Sequence, residues 1–115
     1  PSIRFEYYLT FLKNSKFIIG NSSSGIMEAP YYGTPTINLG NRQLNRAKLA
    51  SIIDIKFKEK LILMNIKKYS KKNHKFRKNS FFGDGNSSKK IIKLLNKKSI
   101  WTTNIKKQFN EIRIK

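Results

Sequence analysis

Apolar residues recur through the first 14 positions at intervals of three and four, which is the spacing of one face of an α-helix. They are Ile3, Phe5, Tyr8, Leu9, Phe11 and Leu12. The spacing predicts an amphipathic helix over residues 3–14. Two short apolar runs, Phe17–Ile19 and Thr36–Leu39, predict buried strands, and residues 24–32 between them predict a second helix. Gly33 then supplies the left-handed residue with which many helices end.

The alternation of strand and helix continues in the second half of the chain. Residues 51–57 predict a third strand, and residues 58–69 predict a basic helix. Residues 70–80 have no apolar period and predict a loop. A last helix is predicted over residues 86–96, with a packed face made of Ile91, Ile92, Leu94 and Leu95. Because strands alternate with helices, we expect an α/β fold with a parallel sheet.

A cluster of small polar residues follows the first predicted strand and opens the next helix. Its members are Ser22, Ser23, Ser24 and Gly25. Backbone N–H groups at the start of a helix have no intrahelical acceptor, so they can donate to a phosphate. Glu28 follows one turn later, and its carboxylate suits the hydroxyls of a sugar better than it suits a phosphate. Since ligands bind beyond the carboxyl ends of parallel strands, the loop after Leu39 belongs to the same predicted site.

The 115-residue chain carries 25 Lys and Arg against 6 Asp and Glu, which gives a net charge of +19. Such a charge is typical of proteins that bind nucleic acid or anionic membranes. The lysines, however, are spread over most of the chain after Gln43, and no stacking aromatic residues alternate with them as in nucleic-acid modules. The prediction is therefore a solvated basic surface, with no specific nucleic-acid partner and no membrane partner.

The residue types that the sequence lacks exclude several kinds of site. The sequence has no cysteine, which excludes disulfides and thiolate metal sites, and no apolar run long enough to span a bilayer. His74 is the only histidine and has no second metal ligand of a suitable type nearby, so no metal and no cofactor are predicted. We expect a cytoplasmic protein. Because the sequence starts without a Met or a signal-like segment, we also expect it to be part of a longer protein.

Two other enzyme classes fit the same residues poorly. Gly20 and Gly25 have the spacing of P-loop glycines, but Ile26-Met27 stands where that motif requires Lys-Ser or Lys-Thr. The chain order of an α/β-hydrolase triad is matched by Ser23, Asp54 and His74. In that class, however, Asn21 would occupy a position that needs glycine for a sharp turn.

Three sequence blocks combine glycines with polar and charged residues. They are Gly20–Gly25 with Glu28, Gly33–Gln43, and Phe82–Asn86. In order and spacing they resemble the hydrolysing UDP-N-acetylglucosamine 2-epimerases, over residues 2–95. The resemblance implies the second of two Rossmann-like domains that face each other across a cleft, as in glycosyltransferases of the B type. It implies a partial carboxyl-terminal nucleotide-binding domain at residues 1–97, a basic tail at residues 98–115, and an amino-terminal domain that this chain lacks.

The resemblance also assigns roles to single residues. Ser22 and Ser23 match positions that hold the diphosphate of UDP. Glu28 matches the position that holds the ribose, and Arg42 matches a further nucleotide contact. The other candidates are Ser24 and Gly25 in the same loop and, with a weaker match, Asn21, Asn38 and Gln43. The family's catalytic acids and bases lie in its first domain and early second domain, so no catalytic residue is predicted here.

The implied reaction converts UDP-N-acetylglucosamine to N-acetylmannosamine and UDP, for the synthesis of sialic acid or surface polysaccharide. A UDP-sugar is the implied substrate, and a homo-oligomer is a possible assembly. Two alternatives stay open. One is a variant that acts on UDP-N,N′-diacetylbacillosamine, and the other is a non-catalytic basic module that binds a nucleotide or another anion.

Two positions of the second block depart from a pattern that many family members share. Asn41 stands where they have Asp, and Asn45 stands where they have Gly before an Arg. In the third block, Asp84 lies between two glycines and is expected to fix a turn and to cap the following helix.

Overall fold

The computed structural model of the chain describes residues 2–71, 74–104 and 106. Its elements are α1 (Phe5–Asn14), β1 (Ile18–Gly20), α2 (Ser24–Met27), a 3₁₀ helix (Ala29–Tyr32), β2 (Thr36–Leu39), β3 (Ile52–Ile55), α3 (Glu59–Ser70), α4 (Ser87–Leu95) and α5 (Lys98–Trp101). The chain forms two compact units, of which the first ends at Phe82 and the second begins at Gly83. Within the described ranges, no helix is long and apolar enough to cross a membrane.

The three strands form one parallel sheet in the order β1-β2-β3. In the register of the sheet, Gly20 lies beside Asn38, and Asn38 lies beside Asp54. Because all three strands run in the same direction, their carboxyl ends meet at one edge of the sheet. The predicted α/β fold with a parallel sheet is thereby confirmed, although β1 starts and ends one residue later than the sequence indicates.

The segment that contains α2 and the 3₁₀ helix packs on the sheet and forms a buried core with the middle strand. Ile26, Ala29 and Ile37 expose at most 1% of their surface. Full burial of one aliphatic side chain of this size contributes about 1.5 to 3 kcal/mol. The Thr36 hydroxyl donates a buried hydrogen bond to the Gly25 carbonyl at 2.6 Å. The start of α2 is therefore held in a fixed position against the middle strand.

The predicted continuous helix over residues 24–32 is wrong, because the segment consists of two pieces. A single turn of α-helix, α2, is followed by the 3₁₀ helix. Pro30 explains the break, since its ring nitrogen has no hydrogen to donate to the carbonyl of Ile26. Gly33 ends the second piece at φ 66°, in the left-handed conformation that the sequence predicts.

α1 matches the first predicted helix but buries little of its predicted apolar face. Leu12 is 3% exposed, whereas Phe5 and Phe11 are 58% and 64% exposed. The Leu12 carbonyl accepts a hydrogen bond from the buried Thr34 hydroxyl at 2.9 Å. α1 is thus held at its carboxyl end, whereas Tyr8 and Leu9 are half-buried and Phe5 and Phe11 stay exposed.

Residues 74–79, here called the strap, have no helix or strand, as predicted, yet backbone hydrogen bonds tie them to the rest of the first unit. The Phe76 N–H donates to the Gly33 carbonyl at 2.8 Å, and the Asn79 N–H donates to the Pro30 carbonyl at 2.9 Å.

The Lys75 side chain adds three further hydrogen bonds to the strap. Its ammonium donates to the Lys13 carbonyl, the Ser15 carbonyl and the Thr34 hydroxyl at 2.8–2.9 Å. Burial lowers the pKa of Lys75. A side chain at position 33 would overlap the Phe76 carbonyl oxygen, so only glycine fits there.

In the second unit, α4 has an apolar face that the described residues leave uncovered. The prediction of a packed face is wrong, because its four apolar side chains are 45–58% exposed. They are Ile91, Ile92, Leu94 and Leu95. α5 contacts α4 through Trp101, whose Nε1 donates to the Leu95 carbonyl at 2.8 Å, but one helical turn cannot cover a face of this width. α5 lies in the predicted basic tail, of which residues 105 and 107–115 are outside the described residues. The boundary after residue 97 stays a prediction.

Candidate functional site

Two loops meet at the carboxyl edge of the sheet. The first loop, residues 21–23, follows β1, and the second loop, residues 40–46, follows β2. A cavity of about 310 Å³ at this edge is lined by Gly20, Asn21, Leu39, Gly40, Asn41, Arg42 and Phe57. Two predicted site residues from different loops, Asn21 and Arg42, therefore border one space. Phe57 is 78% exposed at the same cavity and was not predicted, because an apolar residue after a strand carries no signal for a site.

Ser22 and Ser23 lie exposed in the first loop. Within the described ranges their backbone N–H groups have no acceptor. The Ser22 hydroxyl accepts a hydrogen bond from the Ser24 N–H at 3.3 Å, which leaves its own proton available to a ligand. Because α2 is a single turn, an anion here would be bound by these individual donors and not by the dipole of a long helix.

Ser24 and Gly25 lie behind the first loop. The Ser24 hydroxyl is hydrogen-bonded to the hydroxyl of Tyr8 on α1, a residue that the sequence indicated only as an apolar position. Gly25 is buried, and a Cβ atom built on it would lie 2.5 Å from Cγ2 of Thr36. These contacts show how Ser24 and Gly25 hold the first loop in place, whereas their direct contact with a ligand stays a prediction.

Glu28 lies just after α2 and is half-buried. Its Oε2 atom is buried and has no hydrogen-bond partner among the described residues. A buried carboxylate oxygen without a donor costs free energy, which a ligand hydroxyl would recover by donating to it. The arrangement suits the predicted role of Glu28 as the acceptor for a diol.

Gln43 points inward from the second loop and is 4% exposed. Its Nε2 donates to the Asn21 carbonyl at 2.9 Å, and its Oε1 accepts from Nη1 of Arg46 at 2.9 Å. The neighbouring Arg42 is exposed. Asn45 has φ 65°, in the left-handed region that glycine adopts easily. Many family members carry glycine at this position, and asparagine fits because it tolerates the left-handed region better than most residues.

Asn38, on β2, is 1% exposed. Its Nδ2 donates to Oδ1 of Asp54 on β3 at 2.6 Å, and its own Oδ1 is buried without a partner among the described residues. Asp54 is exposed and lines a second cavity of about 540 Å³ that shares Gly40, Asn41 and Phe57 with the first. The buried amide therefore orients a carboxylate at the edge of the sheet. A contact between Asn38 and a nucleotide stays a prediction.

The third block of the resemblance runs from the end of the first unit into the second. Asp84 accepts a hydrogen bond from the Asn86 N–H at 3.0 Å and forms an ion pair with Lys90 at 3.0 Å. The Asn86 hydrogen bond and the Lys90 ammonium lower the pKa of Asp84 to about 2. The expected turn is present, but the expected helix cap is wrong, because Asn86 and not Asp84 is the N-cap of α4.

The described residues include no group of three or more His, Cys, Asp and Glu side chains that could hold a metal ion. His74 packs edge-on against the rings of Tyr69 and Phe76, with centroid distances of 5.6 Å and 4.9 Å. The single histidine of the chain thus belongs to an aromatic cluster that joins α3 to the strap.

Comparisons with known proteins identify the family of this chain. A family model described as UDP-N-acetylglucosamine 2-epimerase matches residues 1–96. The UDP-N-acetylglucosamine 2-epimerase of Neisseria meningitidis serogroup B is 38% identical over 117 residues, which cover 99% of this chain and 31% of that protein. The polysialic acid biosynthesis protein P7 of Escherichia coli is 46% identical over 65 residues, or 56% of this chain and 17% of that protein.

A third relative is the GDP/UDP-N,N′-diacetylbacillosamine 2-epimerase (hydrolyzing) of Campylobacter jejuni. It is 51% identical over 49 residues, or 43% of this chain and 13% of that protein. The chain thus spans less than a third of the length of each of these relatives. Because one family model matches residues 1–96 and the relative from Neisseria meningitidis is 38% identical over 99% of the chain, the chain belongs to the hydrolysing UDP-N-acetylglucosamine 2-epimerase family.

Proposed function

We propose that this chain is the UDP-binding part of a hydrolysing UDP-N-acetylglucosamine 2-epimerase, which converts UDP-N-acetylglucosamine to N-acetylmannosamine and UDP. The observation that carries the proposal is the buried Oε2 atom of Glu28, which has no hydrogen-bond partner among the described residues. Glu28 follows the loop of exposed donors by one helical turn. A nucleoside diphosphate has hydroxyls for the carboxylate and phosphate oxygens for the donors.

In this proposal Ser22 and Ser23 donate to the diphosphate, and Glu28 accepts from the ribose hydroxyls. Arg42 contributes a permanent positive charge at the cavity between the two loops. The family's reaction removes the proton beside the anomeric carbon, expels UDP and then adds water to the glycal. Preorganised donors that stabilise the charge of departing UDP contribute to the rate, and removal of one such donor costs about 3 kcal/mol in known enzymes.

The groups that act on the sugar would come from parts of the full-length protein beyond this chain. We propose the two-domain arrangement of the family, with residues 1–97 in the carboxyl-terminal domain and residues 98–115 as a basic tail. The proposed setting is cytoplasmic synthesis of precursors for sialic acid or surface polysaccharide. The relative named as a polysialic acid biosynthesis protein supports this setting. A homo-oligomer stays a prediction.

The proposal predicts that the full-length protein binds UDP more tightly than UMP. The second phosphate would gain charge-assisted hydrogen bonds from the first loop, for which we expect about a tenfold to hundredfold difference in affinity. Isothermal titration calorimetry with UDP, UMP and uridine measures it directly. Equal affinities for UDP and uridine would exclude the diphosphate role of Ser22 and Ser23.

A sugar other than N-acetylglucosamine is the first alternative, and the similarity to a diacetylbacillosamine enzyme over 49 residues favours it. The site described here binds the nucleotide, so this chain does not choose between the sugars. Incubation of the full-length protein with each UDP-sugar, followed by identification of the free sugar by mass spectrometry, distinguishes the two substrates.

A basic binding module without enzymatic activity is the second alternative, and the net charge of +19 favours it. Affinities for UDP and for duplex DNA, measured across a salt series, separate the two functions. We expect DNA binding to fade steeply with salt through counterion release, whereas UDP binding persists because it uses directed hydrogen bonds. The Arg42→Ala variant should bind UDP about tenfold more weakly and DNA almost as before.

Lys48→Ala is the matched control, because it removes one exposed positive charge that does not line either cavity at the sheet edge. It should leave UDP binding unchanged. Sequence-selective, salt-resistant DNA binding without measurable UDP affinity would contradict the epimerase function.

A further inference from the structure

One buried side chain joins the two loops of the site. Gln43 extends from the second loop, and its Nε2 donates to the Asn21 carbonyl of the first loop at 2.9 Å. We propose that Gln43 is a positioning residue that holds Arg42 at a fixed distance from the Ser22–Ser23 segment, so that the two loops bind one diphosphate together. This inference rests on the proposed function, since it assumes a diphosphate ligand.

The geometry of the second loop separates the roles of two consecutive residues. Arg42 is exposed at the cavity, whereas Gln43 is 4% exposed. A hydrogen bond made by the buried side chain therefore fixes the backbone from which Arg42 extends. Asn21 directly precedes Ser22 in the chain, so the same bond also fixes the first loop.

Arg46 determines which way the Gln43 amide faces. Its guanidinium has donors only, so the atom at 2.9 Å from Nη1 must be the carbonyl oxygen Oε1. The amide nitrogen must then face the Asn21 carbonyl, which is an acceptor only. The Arg46 N–H also donates to the Gln43 carbonyl at 3.4 Å and closes the turn. Both ends of the Gln43 amide are thus engaged within the protein, so Gln43 positions the loops and does not itself bind the nucleotide.

The test is a double-mutant cycle on UDP affinity, measured by calorimetry with the full-length protein. Gln43→Met keeps the length of the side chain and removes both hydrogen bonds, and we expect about tenfold weaker UDP binding. Arg42→Ala should also weaken UDP binding in the wild-type background. If Gln43 positions Arg42, the Arg42→Ala change should have little further effect in the Gln43→Met background. Independent residues would instead give fold-changes that multiply.

Gln43→Glu is the second variant, because it keeps an oxygen for Arg46 and replaces the donor to the Asn21 carbonyl by a carboxylate oxygen, which cannot donate. Because it also adds a negative charge, its coupling to Arg42 is compared with that of the neutral Gln43→Met variant. It should show the same loss of UDP affinity and the same coupling to Arg42. Lys48→Met is the matched control, since it replaces an exposed polar side chain just beyond the second loop and should leave UDP affinity unchanged.

Each outcome has a distinct meaning. Fold-changes that multiply in a protein that binds UDP overturn the positioning role and leave the proposed function in place. A wild-type protein that binds no UDP overturns the proposed function and this inference with it. Non-multiplying losses with both Gln43 variants, together with an unchanged Lys48→Met control, support the positioning role.

Discussion

The Gly25→Ala substitution should abolish UDP binding by the full-length protein and lower its free energy of unfolding. An added Cβ would lie 2.5 Å from Cγ2 of Thr36, a distance at which one of the two elements must move. Alanine in a helix gains up to about 1 kcal/mol over glycine, whereas overpacking a tight core costs about 1–3 kcal/mol, so the net effect is destabilising. The displaced element would be α2, which carries the first loop at its start and Glu28 at its end.

The Thr36→Ser substitution provides the matched rescue. Serine keeps the hydroxyl that donates to the Gly25 carbonyl and removes the methyl group with which the new Cβ would collide. We expect the Gly25→Ala/Thr36→Ser double variant to recover UDP affinity to within a few-fold of Thr36→Ser alone. Calorimetry and thermal unfolding of the four proteins measure both effects. Wild-type UDP affinity in the Gly25→Ala single variant would show that the first loop does not depend on this contact.

The Glu28→Gln substitution should weaken UDP binding about tenfold to hundredfold, the range expected for loss of a hydrogen bond to a charged group. In the catalytic assay it should raise KM and lower turnover, because the nucleotide is placed less well. Its free energy of unfolding should not fall. The substitution removes a carboxylate whose buried Oε2 has no partner among the described residues, so folding loses no bond seen there.

That combination, weaker binding without loss of stability, separates a ligand contact from a structural residue. Glu6→Gln on α1 is the matched control, because it neutralises an exposed carboxylate outside the cavities. It should leave UDP affinity unchanged and lower the free energy of unfolding by at most about 1 kcal/mol, because Glu6 lies in the first turn of α1. A Glu28→Gln protein that is destabilised and binds UDP normally would assign Glu28 to the fold and not to the ribose.

The first two strands and their common edge could be predicted because each is a short apolar run that is followed by glycine and asparagine. β3 could be predicted from its apolar residues alone, since Lys56 and Phe57 follow it. The break in the helix over residues 24–32 could also have been predicted from Pro30. The face of α4 illustrates a different limit. Periodicity shows that a helix has an apolar side, but it does not show whether the described chain covers that side.

Within the candidate site, residue types indicate which groups are candidates for ligand contacts, but they do not indicate which contacts support those groups. Serines after a strand and a carboxylate one turn later are a chemical signal for a nucleotide. The hydrogen bond that Gln43 donates has no such signal, because its acceptor is a carbonyl 22 residues away in sequence, and no local pattern reveals that pairing. The hydroxyl contact between Tyr8 and Ser24 was missed for the same reason.

The strap also affects the rate at which the first unit unfolds. Each strand of the sheet pairs with the next strand in sequence, so the sheet can grow in chain order at a small cost in loop entropy. The Lys75 bond to Thr34 spans 41 residues and can form only after both segments are in place. Contacts that form after the folding transition state slow unfolding and leave the folding rate almost unchanged. We therefore expect the strap to lengthen the lifetime of the folded unit more than it changes the speed of its formation.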